Sequence, residues 1–164
     1  IKEIGRTYYG GMENTFIYKN FELDVFIQFV NQTGANYLYF FPSPGTLSNQ
    51  PTTVLKRWRN PGDIASVQKY SQDYSGAAIN SFYNISSADN YIGDASFVRL
   101  KNIYLSYELS RDALKRLKIK NLRIYLQGQN LITLTHYIGL DPENQSFQSI
   151  PPLKIFTAGI QINL

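Results

Sequence analysis

Few residues of this chain have the types and spacing that enzyme or metal chemistry requires. His136 is the only histidine, and the chain contains no cysteine. A metal site or a Ser/His/Asp triad built around His136 would therefore lack its other members. We expect this histidine to lie at an edge between a strand and a loop, without a catalytic role.

Two groups of acidic residues could supply carboxylate oxygens for acid–base catalysis or for binding a cation. Glu22 and Asp24 are two residues apart, on the same side of an extended segment. Paired carboxylates can act as acid and base, but lining a water-filled space is the simpler reading. The segment Asp141-Pro142-Glu143-Asn144 lacks the alternating ligand spacing and the glycine of a calcium loop, and a solvated turn is expected there. We therefore predict no catalytic, cofactor-binding or metal-binding residue.

The most binding-like cluster is Lys56-Arg57-Trp58-Arg59, preceded along the chain by Tyr37, Tyr39, Phe40 and Phe41. Exposed aromatic rings can stack on sugars or pack on a partner protein, and arginine supports both kinds of contact. The competing reading is packing within the loop itself. The residues that we predict to contact a ligand or partner are Arg57, Trp58, Arg59, Tyr39 and Phe41.

The composition favours β structure in which part of the surface is not exposed to water. Charged residues make up 17% of the chain, below the roughly 25% of an average globular protein. Aromatic residues reach 15%, and these large side chains favour strands. The net charge is +4, and the lysines and arginines lie mostly at 56–59, at 115–120 and at scattered strand positions. We assign them to solvated loops and strand ends, so nucleic-acid binding is not predicted.

Alternating polarity predicts about five strands. The clearest is the segment 22–29, in which Leu23, Val25, Ile27 and Phe29 oppose Glu22, Asp24, Phe26 and Gln28. Similar patterns cover 12–19, 96–109, 122–129 and 154–164. Val98 and Leu100 share a side with Ile103 only if the register shifts near Lys101-Asn102, which predicts a β-bulge.

The connections between these strands alternate in length. A tight turn is predicted around Asn20, which adopts a left-handed conformation at low cost. A long loop follows at about 31–94, with a short helix expected at 63–71. A short helical turn is predicted at 111–117 after Ser110, and a second long loop covers 136–152.

Three observations favour a membrane barrel over a soluble sandwich. The strands have about the ten residues that a tilted strand needs to cross the hydrocarbon layer. Short and long connections alternate, as in outer-membrane barrels. The last strand ends at Leu164 with an apolar side chain. In addition, Tyr18, Tyr107 and Phe156 fall near predicted strand ends, where an aromatic girdle would lie.

Two segments resemble the late-barrel signature of SusC/RagA-type TonB-dependent transporters. They are DASFVRLKNIYLSYEL at 94–109 and NLRIYLQGQNL at 121–131. The segment 137–143 is similar to the loop that follows in this family, and 9–23 is similar to an earlier hairpin. The resemblance covers both ends of the chain and is weakest between Asn36 and Asn90.

The resemblance implies an all-β fold, an antiparallel transmembrane β-barrel segment with long external loops and a short helical periplasmic turn. Residues 1–164 would form the C-terminal portion of the barrel, as one part of a larger protein, since bacterial barrels have at least eight strands.

The same resemblance implies an outer-membrane importer of oligosaccharides or peptides in Bacteroidetes-type bacteria. Its partners would be a SusD-like surface lipoprotein, outer-membrane lipid, and TonB, which it would contact through parts outside this chain. It would have no cofactor and no enzymatic activity. The alternatives are a soluble carbohydrate-binding β-sandwich and a hydrolase. No group of residues in the sequence supports the hydrolase.

Overall fold

The computed structural model describes residues 3–36, 40–86, 88–110, 114–115, 119–146 and 148–163. The chain divides into two compact units, and each is described here by itself. The sheet unit consists of residues 6–31, 96–136 and 150–164, and the loop unit consists of residues 1–5, 32–95 and 137–149. No helix among the described residues is long and apolar enough to cross a membrane.

The described strands form one antiparallel sheet with the order β1-β2-β4-β5-β6, and the short strand β3 pairs with the end of β2. The strands are β1 (Gly5–Tyr18), β2 (Phe21–Ala35), β3 (Ile92–Asp94), β4 (Phe97–Glu108), β5 (Asn121–Thr135) and β6 (Ile155–Asn163). About five strands were predicted, and the described residues contain five long strands and the short β3. Their up-and-down order confirms the antiparallel prediction.

The β-bulge predicted near Lys101-Asn102 is present in β4. Ile103 pairs with Val25, but Leu100 pairs with Ile27, so that Lys101 is the extra residue of β4. On the other side of β4 the register also shifts between Leu100 and Asn102. A bulge inserts one residue without a partner, and this insertion keeps Leu100 on the same side of the sheet as Ile103.

The tight turn between β1 and β2 differs from its prediction in one respect. Lys19, with φ of 54°, adopts the left-handed conformation that was predicted for Asn20. The Asn20 side chain instead donates a hydrogen bond from Nδ2 to the carbonyl oxygen of Glu108, at 2.7 Å. This bond ties the turn to the end of β4.

The helix predicted at 63–71 is wrong. Asp63 accepts hydrogen bonds from the backbone N–H groups of Arg59 and Asn60, which precede it, so its carboxylate closes a turn and does not begin a helix. These bonds lower the pKa of Asp63. The loop unit instead contains a 3-10 turn at Thr52–Lys56 and a helix, α1, at Ala77–Ser86.

Helix α1 buries one face only. Ala78 and Ile79 are buried, and Phe82 and Ile85 follow at the three-residue spacing that keeps a helical face together. Its remaining positions are mostly Ser, Asn and Tyr, which have weak helix propensity. Most of the helical turn predicted at 111–117 lies outside the described residues; within it, Leu114 is helical and buried.

Candidate functional site

Across β2, β4, β5 and β6 the sheet has one face without charge, which we call the apolar face. Cross-strand pairs align its side chains at successive levels; Leu23, Leu105, Leu126 and Ala158, for example, form one row across four strands. The residues that the registers place on the apolar face are Phe21, Leu23, Val25, Ile27 and Phe29 of β2, Val98, Leu100, Ile103, Leu105 and Tyr107 of β4, Leu122, Ile124, Leu126, Ile132 and Leu134 of β5, and Phe156, Ala158, Ile160 and Ile162 of β6.

None of these side chains is buried in the described structure. Leu126 is 56% exposed and Ile160 is 66% exposed. Soluble monomers rarely expose contiguous apolar patches larger than a few hundred Å². An apolar face that crosses four strands is therefore suited to contact with hydrocarbon.

The opposite side of the sheet, the polar face, carries a charge network. Arg123 lies between two carboxylates, with Nη1 at 3.7 Å from Glu22 Oε2 and Nη2 at 3.8 Å from Glu108 Oε2. The ring of Tyr104 stacks on that of Tyr125, with centroids 5.6 Å apart. Because these ion pairs are partly exposed, each contributes at most about 1 kcal/mol.

Glu22 and Asp24, for which the lining of a water-filled space was the simpler reading, have different partners. Asp24 Oδ1 accepts a hydrogen bond of 2.5 Å from the hydroxyl of Thr15 on β1, whereas Glu22 reaches Arg123. Each carboxylate therefore has its own partner, and this arrangement is that of a polar lining and not of acid–base catalysis.

Aromatic rings collect near the β1–β2 turn. Phe21 and Tyr107 face one another across the sheet with centroids 4.7 Å apart. The ammonium group of Lys19 lies 5.3 Å from the ring centroid of Tyr18. Tyr18 and Tyr107 thus lie near strand ends as expected, in the pattern of an interfacial aromatic belt. Phe156 is the second residue of β6.

In the loop unit the structure does not gather the four described residues of the five predicted contact residues into one site. The guanidinium of Arg57 stacks on Tyr70, 3.7 Å from the ring centroid, and Arg59 Nη2 donates to the carbonyl oxygen of Leu55. Both arginine side chains therefore have partners within the loop. Tyr39 lies outside the described residues.

Trp58 and Phe41 line separate depressions. The backbone N–H of Trp58 donates to the carbonyl oxygen of Val67, at 2.9 Å, and its ring borders a shallow hollow against α1. Phe41 borders a cavity of about 270 Å³. The two depressions share Ser66, Val67, Gln68 and Ile85 in their walls.

A buried polar cluster of the loop unit was missed by the sequence analysis. The side chain of Gln32, only 4% exposed, donates from Nε2 to the carbonyl oxygens of Ala95 (3.1 Å) and Pro142 (2.6 Å). Asp141 is also buried, and its Oδ1 accepts bonds from the N–H groups of Glu143 and Asn144. The turn at 141–144 is thus anchored by buried groups and is not a solvated turn as expected.

His136 is exposed and directly follows β5, as expected. No group of three His, Cys, Asp or Glu side chains able to hold a metal ion occurs among the residues that the structure describes.

Tyr137 completes the buried cluster and gives it a pH dependence. Its hydroxyl donates to the carbonyl oxygen of Ala35, at 2.9 Å. Burial raises the pKa of Tyr137 above the ordinary value of 10.0, and the charges of Tyr91 and Asp141 add to the rise. A phenol whose pKa is raised on folding stabilises the fold below its unfolded pKa, and this contribution is lost as the pH rises through the folded pKa.

We therefore expect Tyr137 to ionise only at a pH above 10.0, and the segment 137–145 to loosen there. The difference between the tyrosinate absorbance titrations of the wild type and Tyr137→Phe isolates this phenol. Tyr74→Phe, which removes a ring that is 73% exposed, is the matched control. A Tyr137 phenolate that forms below pH 10.0 would contradict the burial of this ring.

No family model matches the chain. TonB-dependent receptor P3 of Formosa agariphila is 30% identical over 168 residues, covering 93% of this chain and 16% of the relative. TonB-dependent receptor P39 of the same organism is 31% identical over 140 residues, covering 82% of this chain and 12% of the relative.

Two solved structures contain a region with the fold of this chain. The RagAB peptide importer in the open-open state superposes with a TM-score of 0.77 at 27% identity, covering 99% of this chain and 18% of that one. The RagAB peptide transporter superposes with a TM-score of 0.68 at 27% identity, covering 94% of this chain and 17% of that one. The chain thus spans less than a fifth of the length of these proteins.

Proposed function

We propose that this chain, a relative of the SusC/RagA-type TonB-dependent receptors in both sequence and fold, forms part of the wall and the external loops of an outer-membrane nutrient importer. The relatives confirm the predicted family, the antiparallel barrel segment and the outer-membrane location. They are receptors and importers and not enzymes. We assign residues 1–164 to the C-terminal portion of the barrel, with about 31–94 as an external loop.

The observation that carries this proposal is the charge-free apolar face across four strands. A strand that crosses a bilayer must present apolar side chains to lipid on one side, while its other side can be polar. The polar face, with Arg123 between Glu22 and Glu108, fits the water-filled side. A soluble carbohydrate-binding sandwich needs two sheets packed face to face, whereas all six described strands belong to one sheet.

In the transport mechanism that we propose, this chain acts together with the rest of the receptor and with two other proteins. The external loops would capture the nutrient together with a SusD-like surface lipoprotein, and TonB would supply energy through parts of the protein outside this chain. We propose peptides over oligosaccharides as the nutrient because both superposed structures are of a peptide carrier. Arg57, Trp58, Arg59, Tyr39 and Phe41 remain the proposed contact residues of the loop.

Because the chain has no cysteine, single cysteines can test which face meets lipid. In outer-membrane vesicles containing the whole receptor, we expect Leu105→Cys and Ile124→Cys to resist a water-soluble maleimide and to react with an apolar one. Gln127→Cys and Thr157→Cys on the polar face are the matched controls and should react with the water-soluble reagent. Equal reactivity of both pairs would refute the membrane assignment.

A further inference from the structure

The net positive charge of the chain is concentrated in the connection between β4 and β5. Residues 110–120, which we call the basic connection, contain five basic side chains and a single acidic one, Asp112. The excess of positive charge in this short segment equals the net charge of +4 of the whole chain, so the other residues are neutral in sum. The basic residues are Arg111, Lys115, Arg116, Lys118 and Lys120.

The described residues of the basic connection lie at one end of the sheet. The backbone N–H of Leu109, just before it, donates to the carbonyl oxygen of Leu122, at 2.9 Å. The backbone N–H of Lys120 donates to the carbonyl oxygen of Asn163 at the end of β6, also at 2.9 Å. Both Lys115 and Lys120 are exposed. The connection is therefore tied to the strand ends, and these two ammonium groups are accessible from outside.

The aromatic rings near the β1–β2 turn lie at the same end of the sheet. Asn20 Nδ2 donates to the carbonyl oxygen of Glu108, and the N–H of Glu108 donates to the carbonyl oxygen of Asn20. Phe21 and Tyr107, whose ring centroids are 4.7 Å apart, end the apolar face here. Because aromatic belts lie at the level of the lipid headgroups, the basic connection begins at that level.

The carboxylates at this end of the sheet are engaged on the other face. Glu22 and Glu108 lie on the polar face, where their Oε2 atoms are 3.7 Å and 3.8 Å from the guanidinium nitrogens of Arg123. These acidic groups and Arg123 form a network of their own on the water-filled side. The basic connection therefore adds positive charge next to the apolar face, which carries no charge itself.

This combination of an apolar face, aromatic rings and lysines selects among anionic partners. A soluble anion or an acidic protein segment would meet the lysines but would gain nothing from the apolar face. A zwitterionic phospholipid matches the apolar face, but its phosphate is already neutralised by its own ammonium group. An anionic phospholipid matches both features, because its acyl chains are apolar and its headgroup has a net negative charge.

We propose that Lys115 and Lys120 of the basic connection bind the headgroups of anionic phospholipids, such as phosphatidylglycerol, in the periplasmic leaflet of the outer membrane. The acyl chains of these lipids would lie on the apolar face, beyond Phe21 and Tyr107. This inference rests on the proposed function, because it requires that the apolar face meets lipid and that the short connections lie on the periplasmic side.

The test places the whole receptor in phosphatidylcholine vesicles that contain a trace of phosphatidylglycerol with a photoactivatable diazirine close to its headgroup. After illumination and chymotrypsin digestion, mass spectrometry measures the yield of lipid adducts on peptides from the segment 105–125. Phosphatidylcholine with the same diazirine is the reference probe. We expect several times more adduct from phosphatidylglycerol, and 1 M salt should remove this preference because the Debye length falls to about 3 Å.

Three double variants assign the preference to charge. Lys115→Gln with Lys120→Gln should reduce the phosphatidylglycerol yield about tenfold, to near the phosphatidylcholine level. Lys115→Arg with Lys120→Arg keeps the charge and should keep the preference, which separates loss of charge from loss of folding. Lys69→Gln with Lys154→Gln is the matched control, because it removes the same charge from exposed positions outside the basic connection and should leave the preference unchanged.

Equal adduct yields from the two lipids on the wild type would overturn the proposal, as would equal effects of the two glutamine variants. Glycerol 3-phosphate that suppresses the adducts as well as unlabelled phosphatidylglycerol does would also overturn it, in favour of a soluble phosphate. A receptor that passes the cysteine-labelling test but fails here retains the proposed function and loses only this inference.

Discussion

Replacing Leu126 with lysine is expected to destabilise the membrane-inserted receptor by about 2–4 kcal/mol, the cost of a basic side chain at the bilayer midplane. Leu126 lies on the apolar face, flanked there by Leu105 of β4 and Ala158 of β6. These apolar neighbours offer the ammonium group neither a counter-charge nor a hydrogen-bond acceptor. The penalty should therefore appear in full unless the side chain reaches the membrane surface.

The matched control is Thr157→Lys, in the next strand but on the polar face. Thr157 is exposed and pairs with Gln127, so its replacement should change stability by no more than about 0.5 kcal/mol. Denaturant unfolding of the whole receptor in lipid vesicles, followed by the gel mobility of the folded barrel, measures both variants. A Thr157→Lys variant as unstable as Leu126→Lys would mean that the two faces do not differ in environment.

Replacing Gln32 with leucine should open the buried cluster of the loop unit. Leucine has nearly the same size but cannot donate, so the carbonyl oxygens of Ala95 and Pro142 each lose the bond from Gln32 Nε2. Each buried carbonyl that is left without a donor costs roughly 1–3 kcal/mol. Hydrogen exchange of the segment 137–145 should accelerate by about tenfold or more, because local opening becomes easier.

Gln148→Leu is the control for this second substitution. Gln148 lies in the same stretch of the loop unit but is exposed, so the same chemical change there should leave exchange of the segment 137–145 within about twofold of the wild type. If Gln32→Leu also leaves the exchange rates unchanged, the anchoring of this segment by Gln32 is wrong.

The sheet could be predicted from the sequence because the alternation of apolar and polar residues that forms it is a local pattern. Alternation along Leu23, Val25 and Ile27 gives the face of each residue directly, and a conflict in phase between Leu100 and Ile103 revealed the bulge at Lys101. The strand ends were less accurate. β2 continues to Ala35, beyond the predicted 22–29, because its last residues pair with β3 and do not follow the apolar alternation.

The loop unit could not be predicted because its contacts join residues that are far apart in the chain. Gln32 bonds to Pro142, which is 110 positions later, and nothing in its sequence neighbourhood distinguishes it from an exposed glutamine. The cluster around Arg57 was recognised by residue type, but type does not reveal that Arg57 is already stacked on Tyr70. The cavity beside Phe41 depends in the same way on chain segments that only folding brings together.

The extra residue at Lys101 has a consequence for how the length of this chain can change during evolution. Within a regular strand, gaining or losing one residue exchanges the inside and outside of everything beyond that point, because side chains alternate strictly. At Lys101 this exchange would not occur, because Lys101 has no partner on β2. Without this residue, Leu100 and Asn102 would still pair with Ile27 and Phe26. A deletion of this residue would therefore leave the hydrocarbon-facing rows against β2 intact, whereas a deletion at Leu126 would invert the remainder of its strand.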